Sequence, residues 1–330
     1  MTDRLANKKL FWIWLLVAAI LLSIASVYAQ VDYLGLRFLK VQQAKVHEQM
    51  LQGVAGNPWQ YRVLADLAVE QFIKLFNKAG VSNPAVSAFI AFRFLQNLLI
   101  FLFAGIYYQK LKLSLHANLL GLSVLAWGIS YSLYNSDLSF NVYFDIVFYL
   151  VAAIFILDKR FVWIPPLTVL AAFNRETSVL IPFMMVCFAY FGDTQKETKR
   201  SATLYAAGSL IIFGTIFFGL RIYYGKQAFL TADGFYPGLS LLYLNIRRGV
   251  TWEQLLITLG ILPFLAIFAY SNWPRSLKIF FWVIVPAWFG IHFLAALIAE
   301  TRLLLVPQAL IFIPGAFLGI LQGGNKENSS

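Results

Sequence analysis

Charge is what this chain of 330 residues has least of. Asp, Glu, Lys and Arg make up 12% of it, against 60% hydrophobic residues, and the mean hydropathy is +0.71. A soluble domain carries about 25% charged residues, so the composition is that of an integral membrane protein. Cysteine is scarcer still: the single Cys187 lies inside an apolar run, which excludes a disulfide framework and a cysteine metal site. Three histidines without ligand-like neighbours argue against zinc chemistry. No P-loop and no dinucleotide fingerprint is present, which disfavours ATP-driven transport and a cytosolic nucleotide-sugar site.

What is there is a succession of apolar runs. Leu10 to Ala29, preceded by Arg4, Lys8 and Lys9, is too long for the h-region of a signal peptide, about 7–15 residues, although Ala-Ser-Val-Tyr-Ala before Gln30 resembles a cleavage site. The run predicts an uncleaved anchor, with the N-terminus in the cytoplasm. Further runs follow at Ala85 to Tyr107, Leu115 to Leu133, Phe140 to Leu157, Phe161 to Phe173, Ser178 to Phe191, Leu204 to Tyr224, Leu255 to Tyr270, Ile279 to Ala299 and Leu303 to Leu321. The expectation is an all-α polytopic bundle of about ten membrane segments, forming one transmembrane domain over residues 1–330. Lys or Arg in every short cytoplasmic connection places both termini in the cytoplasm, and the expected location is the cell (inner) membrane.

The longest polar stretch, 30–84, is then exoplasmic. Arg62, Asp66, Glu70, Lys74 and Lys78 recur every fourth residue opposite Leu64, Ala68, Phe72 and Leu75, which predicts an amphipathic helix with Glu70–Lys74 as an i,i+4 pair and Gly80 near its end. Leu34 to Leu51 is a weaker segment of the same kind, and such helices lie in the membrane interface or cap a cavity. Residues 225–253 form a second exoplasmic loop, in which Asp233-Gly234-Phe235-Tyr236-Pro237-Gly238 reads as an aromatic turn. The tail, 322–330, is polar and expected to be a disordered cytoplasmic segment.

On this topology the polar side chains gather on the exoplasmic side, arginines among them, against the positive-inside tendency. Arg62, Arg175, Arg248 and Arg302 suit a phosphate-bearing ligand entering from the bilayer. The plain alternative pairs each with a local carboxylate, Arg175 with Glu176 and Arg302 with Glu300. Asp32, at the exit of the first run, has the position of a general base in a partly desolvated cleft, or of an interfacial anchor. Arg93 and Asp145 each lie on the order of 12 Å below the exoplasmic boundary at 1.5 Å per residue, which predicts a structural ion pair between two spans.

Four features together resemble the GT-C class of membrane glycosyltransferases: Asp32 after the first span, helices in the first exoplasmic loop, Asn174-Arg175-Glu176-Thr177 between two short segments, and Glu300-Thr301-Arg302 before an apolar run. Asn57-Pro58-Trp59-Gln60-Tyr61-Arg62 is similar to a recurring motif of bacterial multi-pass proteins. The resemblance implies transfer of a sugar from a polyprenyl-phosphate donor to an exoplasmic acceptor with inversion. Asp32 would be the catalytic base, and Arg175, Arg302, Arg62 and Arg248 would hold the donor phosphate, supported by Asn174, Glu176, Glu300, Arg93 and Asp145. The implied partners are the lipid-linked sugar donor and membrane lipids, not nucleic acid. No cofactor is implied, and a divalent metal is left open. A flippase for an anionic lipid-linked substrate and a non-enzymatic subunit of a membrane complex are the competing readings.

Overall fold

A computed structural model describes residues 2–134, 136–192, 194–229 and 234–322, and the side chains of 9–319 within them. The start of the aromatic turn at Asp233 and the tail from Gly323 lie outside the described residues. Among those described the chain is helical, with one isolated bridge between Asn57 and Phe229.

The helices are α1 (Thr2–Leu34), α2 (Ala44–Gln52), α3 (Val63–Lys78), α4 (Pro84–Lys110), α5 (Leu115–Tyr131), α6 (Phe140–Leu157), α7 (Ile164–Asn174), α8 (Leu180–Phe191), α9 (Lys196–Tyr224), α10 (Leu239–Arg247), α11 (Gly249–Leu259), α12 (Leu262–Phe268), α13 (Arg275–Ala295) and α14 (Thr301–Gly319). Six are long and apolar enough to cross a bilayer: Lys9–Leu34 of α1, then α4, α6, α9, α13 and α14. The pair α11–α12 brings the number to seven if it counts as one broken span. That span is not the straight helix expected over Leu255 to Tyr270. It bends by 64° at Gly260, whose φ of +54° a side chain would resist. By length and composition six or seven segments are clear spans, and the expected count of about ten is not shown. Helices α7 and α8 are short, and α5 has 17 residues.

The core is built from α4, α6 and α14, with α1 and α5 packed against α4. In an apolar interior every polar group needs a partner inside the protein. Asn97 accordingly donates to Ser26 Oγ at 2.9 Å, Asn118 to the Gly105 carbonyl at 2.8 Å, and Gln30 to the Ile129 carbonyl and the Tyr143 hydroxyl. In α14, Pro314 has no N–H to give the Leu310 carbonyl, and the helix passes through a π turn over Gln308–Phe312. The Tyr107 hydroxyl donates to Leu310 O at 3.0 Å and Tyr108 to Ala309 O at 2.9 Å, repairing the break from α4. At the same end of α4, its last residue Lys110 pairs with Asp158 just past α6 at 2.5 Å.

In the first polar stretch α3 forms where the four-residue recurrence predicts it. Lys74 pairs with Glu70 at 3.5 Å, and the chain turns at Gly80 (φ +71°). Its apolar side, with Ala65 and Val69, is buried against Phe89 and Phe92 of α4. His47 of α2 ties the two helices together, bonding Asp66 at 3.1 Å and Glu70 at 3.2 Å. Burial alone would lower the His47 pKa, but hydrogen bonds and charge from Asp66 and Glu70 outweigh it and raise it above the ordinary value.

Candidate functional site

Two cavities open at the end of the bundle where α1 finishes and α4 and α6 begin. The first, of about 590 Å³, is walled by Tyr33 and Leu34 at the end of the first span, by Phe38 just after it and by Trp59 and Leu133, with Asp137, Glu300 and Arg302 as its charged groups. The second, of about 390 Å³, holds Arg62, Arg175, Arg221, Glu176 and His292, with apolar walls from Phe217, Phe229 and Ile291. Between them lies a gap of about 40 Å³ that shares Trp59 and Asp137 with the first cavity and Arg62 with the second.

Arg302 organises the first cavity. The chain leaves Glu300 into a 3₁₀ turn, Thr301–Leu304, which turns the guanidinium inward. Arg302 donates to Glu300 Oε2 at 2.6 Å, to Asp137 Oδ1 at 3.1 Å and to the Ser139 hydroxyl, which in turn donates to Asp137. Ser139 sits in the left-handed region at φ +41°, a conformation that costs a non-glycine residue about 1–3 kcal/mol and concentrates at functional sites. Burial raises the Glu300 carboxyl above its ordinary pKa, and the Arg302 charge only partly offsets this.

The second cavity starts from the break between α7 and α8. Arg175 is extended there (φ −158°, ψ 153°), so its side chain and that of Glu176 point to opposite sides. Arg175 turns into the bundle and pairs with Asp145 of α6 at 3.3 Å. The same carboxylate accepts from Asn174 Nδ2 at 2.9 Å and Thr177 Oγ1 at 2.9 Å. His292 Nδ1 faces the Trp288 carbonyl at 2.8 Å and so carries the ring hydrogen, which leaves Nε2 to accept from Arg175 at 3.4 Å. Glu176 turns the other way, into the cavity. There it takes Arg62 at 3.0 Å and Arg221 of α9 at 3.4 Å. Arg221 also stacks on Phe217 and Tyr61. The cavity walls thus carry three guanidinium groups against one carboxylate, and the Nε of Arg175 has no hydrogen-bond partner among the described residues.

No protein-family model matches the chain, and neither does any curated protein or solved structure. Among the described residues no group of three or more His, Cys, Asp and Glu side chains is arranged to hold a metal.

The arrangement brings Arg62, Arg175, Glu176, Glu300 and Arg302 to the two cavities, with Asn174 and Asp145 directly behind. Four readings need correction. Arg93 does not pair with Asp145; it is fully buried against the Tyr143 ring at 3.4 Å and Phe140 at 5.2 Å, on another side of α6. Arg175 pairs with Asp145 rather than its neighbour Glu176, whereas Arg302 does take Glu300. Asp32 is exposed and lines neither cavity, although Tyr33 and Leu34 beside it line the first. Arg248 is half-buried and likewise lines neither. His292 and Arg221 in the second cavity and Asp137 and Trp59 in the first belong to no catalytic or phosphate-binding pattern in the sequence. The one available signal was their common placement in predicted exoplasmic loops or helix ends.

Proposed function

We propose that this chain is a membrane glycosyltransferase that moves a sugar from a polyprenyl-phosphate donor to an acceptor hydroxyl at the exoplasmic face, with inversion. On this reading ten segments enter the bilayer, α5, α7 and α8 among them, and both termini are cytoplasmic in the cell membrane. The observation that carries the reading is the pair of cavities with unlike charge that meet at Trp59 and Arg62.

The cationic cavity suits the donor phosphate. One of its walls belongs to α9, whose most apolar stretch is only 11% buried, so it lies beside lipid, where a polyprenyl chain would rest. Arg62 and Arg221, now sharing Glu176, are the groups to take the phosphate, with Arg175 behind them. The first cavity supplies the base. Glu300, with its raised pKa, takes the proton of the acceptor hydroxyl as that oxygen bonds to the anomeric carbon. The bond from that carbon to the phosphate oxygen breaks, and the arginines stabilise the charge left on the polyprenyl phosphate. A flippase would need a polar path to the other end of the bundle; Phe101, Tyr107, Tyr108 and Leu150, all at 0% exposure, fill the interior there.

The test is transfer from a radiolabelled polyprenyl-phosphate hexose by purified protein in vesicles. Glu300→Gln lowers the rate by about 10²–10⁴, the range for losing a general base, while Asp32→Asn leaves it nearly unchanged. The reverse pattern overturns the assignment of the base, and folded protein that transfers nothing from any polyprenyl-phosphate sugar overturns the reading itself.

A further inference from the structure

The first cavity is a poor phosphate site. Its walls carry Asp137 and Glu300 against Arg302 alone, and Arg302 is already held by both carboxylates. An anionic head would face a net negative wall. Hydroxyl groups fit, because a carboxylate accepts their hydrogens, and the flat faces of Tyr33 and Trp59 suit a sugar ring.

Apart from Gln49 and Ser136 the rest of the cavity lining is apolar, and the cavity does not end at Leu34. A second hollow, also about 590 Å³, lies between α1 and α4, walled by Ile24, Val27, Tyr28 and Val31 on one side and Ser87, Ile90, Ala91 and Phe94 on the other. Val27, Val31 and Leu34 follow one another at i, i+4 and i+7, one stripe of α1, so the groove and the head cavity abut along the same helix face. Val31, Leu34, Phe38 and Ile90 also pack into one apolar cluster. From Ile24 to Leu34 the stripe is about 15 Å long at 1.5 Å per residue, room for a single extended hydrocarbon chain. Lower down, α1 and α4 close on each other where Leu15 lies against Gly105.

We infer that the α1–α4 groove and the first cavity together hold an uncharged, hydroxyl-bearing lipid, its chain between Val31 and Ile90 and its head at Glu300 and Asp137. Resting on the transferase reading, this makes the acceptor a neutral glycolipid-like molecule that stays in the membrane. Charge divides the two substrates: the anionic donor goes to the arginine cavity, and the neutral acceptor goes to the carboxylate cavity.

The test is photolabelling of the protein in phosphatidylcholine vesicles with an alkyl glucoside carrying a diazirine on its chain, beside the matching alkyl phosphate. The glucoside is expected to label peptides covering 24–34 and 87–94, and unlabelled alkyl glucoside to compete it away. Ala91→Trp, which fills the groove, should cut labelling about tenfold, while Leu95→Trp, one turn on and outside the groove, should leave it intact. Labelling that survives competition or Ala91→Trp means ordinary bilayer contact and overturns the inference. So does equal labelling by the alkyl phosphate, since the head cavity then does not select a neutral group. Labelling needs no turnover: absence of sugar transfer would leave a positive result standing, and transfer to a water-soluble acceptor with an unlabelled groove would remove this inference alone.

Discussion

Asp145→Asn isolates the ion pair that fixes the break between α7 and α8. The substitution keeps the shape of the side chain but removes the charge opposite Arg175, whose side chain is 3% exposed. At 3.3 Å, an effective dielectric constant of about 20 gives an attraction of about 5 kcal/mol, in line with the 3–5 kcal/mol that breaking a buried pair costs when one charge stays behind. The hydrogen bonds from Asn174 and Thr177 weaken as well, since both now meet a neutral amide. Glu176→Gln provides the comparison. Its carboxylate is 26% exposed and screened, so losing its pairs with Arg62 and Arg221 costs about 1 kcal/mol or less. Unfolding in mixed micelles by titrated dodecyl sulfate, followed through the tryptophan fluorescence, reads both variants. The double variant Asp145→Leu/Arg175→Met should recover most of the loss, because it leaves no buried charge unpaired. If Asp145→Asn and Glu176→Gln cost the same, Arg175 is not held by Asp145 and the derivation of the second cavity fails.

Three further outcomes follow from other contacts. His47 binds a proton more tightly folded than unfolded, so it contributes stability that is present below the ordinary histidine pKa of 6.5 and lost as the pH rises through the raised His47 value. The protection factors of the Val63–Lys78 amides, corrected for the base-catalysed intrinsic rate, should therefore be larger at pH 6 than at pH 8, with the opposite order refuting the His47 contacts. Gly128→Ala drives a methyl group into the buried Gln308 amide and should cost about 1–3 kcal/mol in the same micelle titration, whereas Gly208→Ala, with open space around it, should be neutral or slightly stabilising. Arg221→Ala should lower kcat/KM for the polyprenyl-phosphate donor about tenfold or more, with kcat falling as well as KM rising, because the guanidinium both binds the phosphate and stabilises the charge that develops on it.

The apolar runs and the α3 periodicity were legible because each depends on neighbours within a few residues. The pairing of the buried charges was not, since it depends on direction about a helix axis. Arg93 stacks on Tyr143, which precedes Asp145 by only two residues, but those two residues are roughly 200° around α6. Arg175 and Glu176 are adjacent in sequence, yet an extended residue sends them to opposite sides, one to Asp145 and the other to Arg62. Asp32 misses the first cavity for a similar reason: it lies one residue past Val31, off the stripe that leads through Leu34. The bend at Gly260 and the π turn below Pro314 are tertiary accommodations that hydropathy does not record.

The most direct test of the central claim is a cryo-EM map of the protein in lipid nanodiscs with added polyprenyl phosphate. The account predicts phosphate density within hydrogen-bonding reach of Arg62 and Arg221, with Glu176 displaced from between them and the chain leaving along α9. Phosphate seated instead against Arg302, or a map in which Glu176 still bridges the two arginines and the cavity is closed to lipid, would contradict it.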